Sequence, residues 1–326
     1  MLPMPDWLEA AEQAVFSRFA EGAQPRQIAT GFAFTEGPVW FDGALLFTDV
    51  VRNRIVRYRW LPEGPELTTF RYPSGYPLDA PPLAIAAVGA NGLTRDPAGR
   101  LIACESGNRR VSRTERNGTI VSVAERYAGK RLNSPNDVVA RSDGALYFTD
   151  PPMPGLREAG LQELSVAGVY RAGPDGQLTL LVDDFIVPNG LAFSPDERLL
   201  YVNDSRLQHI RVFTVRPDGT LAEGRVFASV KGAEPGVADG MKVDCEGVLY
   251  CTGSGGVWIF QPDGRFLGRV RLPEQPSNLA WGGAEWRDLY ITARTSVYHL
   301  TMAVAGVPVP PSRSTAARRR ASSARS

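Results

Sequence analysis

Short apolar runs alternate with turn signals along most of this chain. Between Pro188 and Ser205 it reads PNGLAFSPDERLLYVNDS. The run GLAF is apolar, and SPDE places Pro and Asp where a tight turn prefers them. RLLYVND is rich in β-formers, HIRVFTV alternates, PDG marks another turn and RVFASV follows. This order predicts four antiparallel strands. The same order returns six times, headed by Glu36, Asn91, Asn136, Asn189, Asp239 and Asn278. Successive heads lie 55, 45, 53, 50 and 39 residues apart, the spacing of propeller blades. The expected fold is therefore all-β, a six-bladed β-propeller of four-stranded antiparallel blades.

The ends of the pattern predict how the ring closes. The last repeat supplies only NLAW, DLYITA and SVYHLTM, and an orphan run, RQIATGFAF, precedes the first repeat. The N-terminal strand is expected to complete the last blade, which removes an open edge. Upstream, Trp7, Leu8, Ala11, Val15 and Phe19 share one helical face behind Asp6, so a short helix is expected over residues 5–19. The chain then divides into an extension over residues 1–24, a propeller over 25–303 and a disordered tail over 304–326, rich in Pro, Ser, Ala and Arg. A long connection, YPSGYPLDAPPLAIAAVG, is expected to lie over a binding face.

Composition narrows the class. Thirty-six basic residues against 35 acidic ones leave a net charge of +1, with no field to draw nucleic acid or an anionic membrane. No apolar run approaches the roughly 20 residues that span a bilayer, and no secretory signal is evident at the N-terminus. Three cysteines, Cys104, Cys245 and Cys251, fit neither a disulfide framework nor a zinc site, which points to a reducing cytoplasm.

The first strand of each blade lines the central channel, so the six heads should converge. Asn-Gly and Asp-Gly are also good turn pairs. A turn role explains the set poorly, because Glu36 is a weak turn former and Asn136 is followed by Asp. Buried carboxylates need partners, and no Lys or Arg occupies this position in any repeat. One divalent cation would neutralise Glu36 and Asp239, with Asn amide oxygens completing the shell. Oxygen-only ligation favours calcium, magnesium or manganese over zinc.

The segments FTEGPVW, NSPNDVV, DGALYFTDPP, GVYR, PNGLAFSPDERLLYVNDS and ADGMKVD resemble the SMP-30/gluconolactonase family over roughly Gln27 to Met302. That resemblance implies a calcium-dependent lactonase, with magnesium, manganese or zinc as the other ions, acting on a small-molecule lactone. It implies that Glu36, Asn189 and Asp239 hold the metal, with Asn136 as a fourth ligand or a substrate contact. Asp239 would also be the catalytic acid/base. Arg131 and Asn133 match the family's substrate-hydroxyl positions, and Asn91 completes the substrate side of the ring. Ser106 stands where relatives often carry His, which bears on substrate choice.

For Asp239 to be both ligand and base, one of its oxygens must stay free, so monodentate ligation is expected. The same ring would serve a phosphotriesterase or another esterase, and a non-catalytic metal-binding propeller is the third reading. A monomer or weak dimer is expected, with no nucleic-acid or membrane partner. His209 and His299 read as rim and structural residues. Asp49, Asp150 and Asp204 read as hydrogen-bonding anchors, the tyrosines at 147, 201, 250 and 290 as inter-blade core, and Arg109 and Arg110 as loop charges.

Overall fold

The computed structural model describes residues 5–79, 87–152 and 155–309. Among the described residues, six antiparallel blades follow one another along the chain, and a two-stranded ribbon, Arg126–Tyr127 with Lys130–Arg131, lies between the second and third. The first strands of the blades are Thr35–Phe41, Ala90–Arg95, Val138–Ala140, Pro188–Phe193, Met241–Val243 and Pro276–Gly282. Each touches the first strands of the blades on either side, and that of blade 6 touches that of blade 1. The six strands therefore enclose a central shaft. Local chemistry sets the hairpins: Asp42 and Gly43 both adopt positive φ between paired Phe41 and Ala44, the two-residue turn whose twist matches paired strands.

The core lies between blades. Tyr147, Tyr201, Tyr250 and Tyr290 are almost fully buried at one position of the second strands. Tyr147 meets Phe193 edge-on, Tyr250 meets Trp281 edge-on and Tyr290 stacks on Trp40, each time on the first strand of the next blade. Such aromatic pairs contribute about 1 kcal/mol each beyond the area they bury. Cys104 and Cys251 are completely buried in the same packing.

Blade 6 contains strands Pro276–Gly282, Asp288–Ala293 and Ser296–Thr301, and its outer strand is Arg26–Thr30 from the other end of the chain. The segment before it differs from the helix expected over residues 5–19. Leu8–Ala10 is a strand, and Gln13–Arg18 is a single 3-10 segment. The strand pairs with Phe266–Val270 and makes blade 5 five-stranded rather than four-stranded. The outer edge of blade 5 offers unpaired backbone groups that only an extended segment can satisfy, and this tertiary demand overrides the helical period. Close pairing requires Gly268, where a Cβ would lie 2.5 Å from the Glu9 carbonyl oxygen. Leu8 and Val15 are buried and Trp7 meets Phe19 edge-on, so part of the expected apolar face is buried on a different backbone.

The other end also departs from expectation. Residues 304–309, read as the start of the tail, are held in place: Cys245 N–H donates to the Ala305 carbonyl and Gly306 N–H to that of Trp286. Residues 310–326 lie outside the described residues, as do 80–86 of the long connection. The described part of that connection is anchored by Asn53, whose Oδ1 accepts the N–H groups of Ser74 and Gly75. Among the described residues, no helix is long and apolar enough to cross a membrane.

Candidate functional site

The ring of six heads lies where the first strands begin, and backbone contacts between blades build it. Gly92 N–H donates to the Asn136 carbonyl at 2.8 Å and Gly190 N–H to the Asp239 carbonyl at 3.1 Å. A Cβ at Gly190 would stand 2.1 Å from that Asp239 oxygen. Glycine follows most heads because the next blade's backbone occupies the space a side chain would need. Close approach, not turn formation, accounts for the Asn-Gly and Asp-Gly pairs.

Second strands brace the ring from outside. The Thr48 hydroxyl donates to the Asn91 carbonyl at 3.2 Å and that of Thr149 to the Asn189 carbonyl at 2.7 Å, while the Asn203 amide donates to the Asp239 carbonyl. The next residue clamps the loop that leads into its own blade. Asp49 accepts the N–H groups of Ala33 and Phe34, Asp150 those of Asn133 and Ser134, and Asp204 those of Ile186 and Val187. In blades 1, 3 and 4 the Thr-Asp or Asn-Asp pair therefore ties the blade's own entry loop to the head of the next blade.

Within the ring, Glu36 and Asp239 share a side-chain hydrogen bond, and the Asn189 amide lies against Asp239. Glu36 Oε2 accepts from Gly37 N–H at 2.5 Å and from Asn278 Nδ2 at 2.9 Å. Burial, then the Asp137 carboxylate, pushes the Glu36 carboxyl up to about 7. Burial, then Glu36 and Asp137, raises Asp239 well above its ordinary value. Two carboxylates this close can coexist only by sharing a proton or a cation.

The donor set fits a hard divalent cation. Buried Glu36 and half-buried Asp239 supply charge, and the neutral amides of Asn136 and Asn189 can add oxygen without adding more. Among the described residues, no three His, Cys, Asp or Glu side chains converge as a metal cage, so the amides are needed to complete a shell. Asn189 Nδ2 donates to Ser205 Oγ at 3.0 Å, and Ser205 Oγ donates on to the Ala238 carbonyl. That chain turns the amide nitrogen toward Ser205 and frees the amide oxygen.

These contacts bring together Glu36, Asn189 and Asp239, with Asn136 in the adjoining blade beside Asp137. The side-chain amides of Asn91 and Asn136 are half-buried, and no side-chain hydrogen bond holds them among the described residues. Arg131 is half-buried, and its guanidinium donates to the Asn108 carbonyl at 2.7 Å. Asn133 does not reach the shaft. It is completely buried, and its amide nitrogen holds the Val166 carbonyl at 2.8 Å, which makes it a brace for the loop. Ser106 is buried and donates to the Pro135 carbonyl beside Asn136.

Arg109 differs from an exposed loop charge: it is buried and bridges the Leu132 and Leu161 carbonyls, each at 2.7 Å. His299 bonds Asp288 on the outer sheet, away from the ring. Sequence reading missed Asp137, Ser205 and Lys242. The available signal was departure from the repeat: Asp137 follows its head where four other blades carry Gly, and Lys242 lies three past its head where the others carry Val, Thr, Val, Ala and Trp.

Comparison with known proteins places this geometry in a lineage. The SMP-30/Gluconolactonase/LRE-like region matches residues 34–295. A gluconolactonase of Zymomonas mobilis is 34% identical over 285 residues, covering 83% of this chain and 79% of its own. A 6-deoxy-6-sulfogluconolactonase of Pseudomonas putida is 28% identical over 267 residues, covering 79% and 82%. The structure of a gluconolactonase from Xanthomonas campestris superposes with a TM-score of 0.77 at 34% identity, covering 91% of this chain and 95% of its own.

Proposed function

The chain belongs to the SMP-30/gluconolactonase/LRE-like family, and from that membership we propose that it hydrolyses small, sugar-derived lactones at the mouth of its shaft with one divalent cation, calcium first among the candidates. The observation that carries this reading is the pairing of buried Glu36 with half-buried Asp239, from blades 1 and 5, with the Asn189 amide beside them. When bound, the cation supplies Lewis-acid polarisation of the lactone carbonyl and neutralises the pair.

The chain's own groups perform the proton work. Ionised Asp239 takes a proton from the attacking water as its oxygen bonds to the carbonyl carbon. The ring C–O bond then breaks, and the departing alkoxide recovers that proton from Asp239. The product is an open hydroxy acid. Burial and the neighbouring carboxylates raise the proton affinity of Asp239 above that of an ordinary aspartate, which suits a group that must accept a proton from water. The Asn136 amide is free to donate to the carbonyl oxygen as negative charge develops there. Arg131, anchored through Asn108, keeps further N–H groups for sugar hydroxyls.

The test is proton release from glucono-lactone and a panel of small lactones in weak buffer. Metal-stripped protein is compared with and without calcium, magnesium, manganese or zinc. Ion-dependent turnover is expected, and Asp239→Asn should reduce it roughly 10²–10⁴-fold. Failure to open any lactone with any ion would overturn the reading, and turnover of phosphotriesters instead would assign the same ring to a different ester.

A further inference from the structure

Below the ring the shaft holds a charge pattern that metal ligation alone does not explain. Asp137 is buried, its Oδ1 accepts Val138 N–H at 2.9 Å, and its Oδ2 has no hydrogen-bond partner. Its carboxylate occupies space that Gly92 leaves open, since a Cβ there would lie 2.5 Å from Asp137 Oδ1. It is therefore a third carboxylate near Glu36 and Asp239, and it raises the proton affinity of both.

Lys242 supplies the opposite charge. Its Nζ donates to the Met241 carbonyl at 3.0 Å and lies 3.5 Å from Asn278 Oδ1. The same Asn278 amide donates through Nδ2 to Glu36. The Lys242 ammonium acts electrostatically on both Glu36 and Asp137, yet among the described residues it forms no ion pair within 4 Å. Its stem lines the recess at the far end of the shaft, with Trp40, Val139, Phe193 and Trp281.

We propose that Lys242 is a positioning residue for charge: a fixed ammonium that offsets Asp137 and leaves the shaft with the countercharge of one divalent cation. Once the shared proton is displaced, three carboxylates against one ammonium give a formal charge of −2 in the shaft. Without Lys242 the shaft would carry an excess charge and would favour a trivalent ion. This inference rests on the metal-binding reading of the ring and specifies how the chain selects ion valence.

The experiment is calorimetric titration of metal-stripped protein with calcium and, separately, with terbium, an ion of similar radius and higher charge. Four variants are compared with the parent: Lys242→Met, Lys242→Arg, Asp137→Asn and the Lys242→Met/Asp137→Asn double. Circular dichroism and thermal melting establish that each is folded. Lys242→Met keeps the apolar stem and removes only charge, so its terbium-over-calcium preference should rise roughly tenfold. Asp137→Asn should lower that preference, while Lys242→Arg and the double variant should match the parent.

An unchanged preference in folded Lys242→Met, with calcium binding intact, overturns the inference alone. If Lys242→Met does not fold, Asp137→Asn decides: a preference that fails to fall overturns it. Absence of calcium and terbium binding to the parent overturns this inference, and absence of magnesium, manganese and zinc binding as well overturns the metal-binding reading itself.

Discussion

At the residue scale, the site consists of two carboxylates competing for one proton. Burial and Asp137 hold the Glu36 carboxyl up to about 7, against 4.5 for an ordinary glutamate. In the metal-free protein the protonated pair stabilises the fold fully below pH 4.5, and this contribution is lost as pH rises through about 7. The melting temperature of stripped protein should therefore fall between pH 5 and pH 8, and Glu36→Gln should flatten that slope. On the proposed reading a cation displaces the same proton, so its apparent affinity should weaken as pH drops below about 7, with protons released on binding. Titrations in two buffers of different ionisation enthalpy count those protons, and an affinity constant from pH 5 to pH 8 would contradict the shared-proton picture. At this scale the heads were legible because they recur and are all polar. Asp137 and Lys242 were not, because each occurs once and its meaning depends on a neighbour in another blade.

At the element scale, blades 1, 3 and 4 are pinned to the ring by a buried Asp at the end of the second strand. Asp204 shows the full device. Its Oδ2 accepts Ile186 N–H at 2.7 Å and its Oδ1 accepts Arg206 N–H at 2.8 Å and Leu207 N–H at 3.0 Å. Asp204→Ala removes a buried acceptor from donors on a solvent-exposed loop and should cost about 1–2 kcal/mol, measured by urea denaturation. Asn189 follows the clamped loop, so the same variant should also weaken calcium binding. Strands and turns were readable from the chain because a two-residue period and tight-turn chemistry are local. The segment over residues 5–19 was not, because the groups that make it a strand belong to the edge of blade 5. Glu9 also sits between Arg269 and Arg271, at 2.6 and 2.7 Å, a pairing that no local period encodes. Asn133 misled for a similar reason, since its partner Val166 comes from a loop over thirty residues away.

At the scale of the whole molecule, the site exists only if the ring is closed. Glu36 sits at the start of blade 1, and its amide partner Asn278 sits in blade 6, so their contact crosses the seam between the two ends of the propeller. Ser277 Oγ donates to the Thr35 carbonyl at 2.7 Å, and Thr35 Oγ1 donates to the Ser296 carbonyl at 2.9 Å across the same seam. Strand Arg26–Thr30 covers the outer edge of blade 6, with Gln27 reaching Ser296 at 2.9 Å. Two truncations separate the roles of the N-terminal segments. Removal of residues 1–12 strips only the added strand of blade 5, so it should lower the melting temperature and leave calcium affinity nearly unchanged. Removal of residues 1–30 exposes the edge of blade 6 and frees the seam that positions Asn278 against Glu36. That protein should aggregate or lose cation binding, and recovery of binding on addition of a peptide spanning residues 24–33 would show that the strand acts by closing the ring. Equal calcium affinity in both truncations would mean that the seam holds without its strand and that the ring positions Glu36 through its inner strands alone.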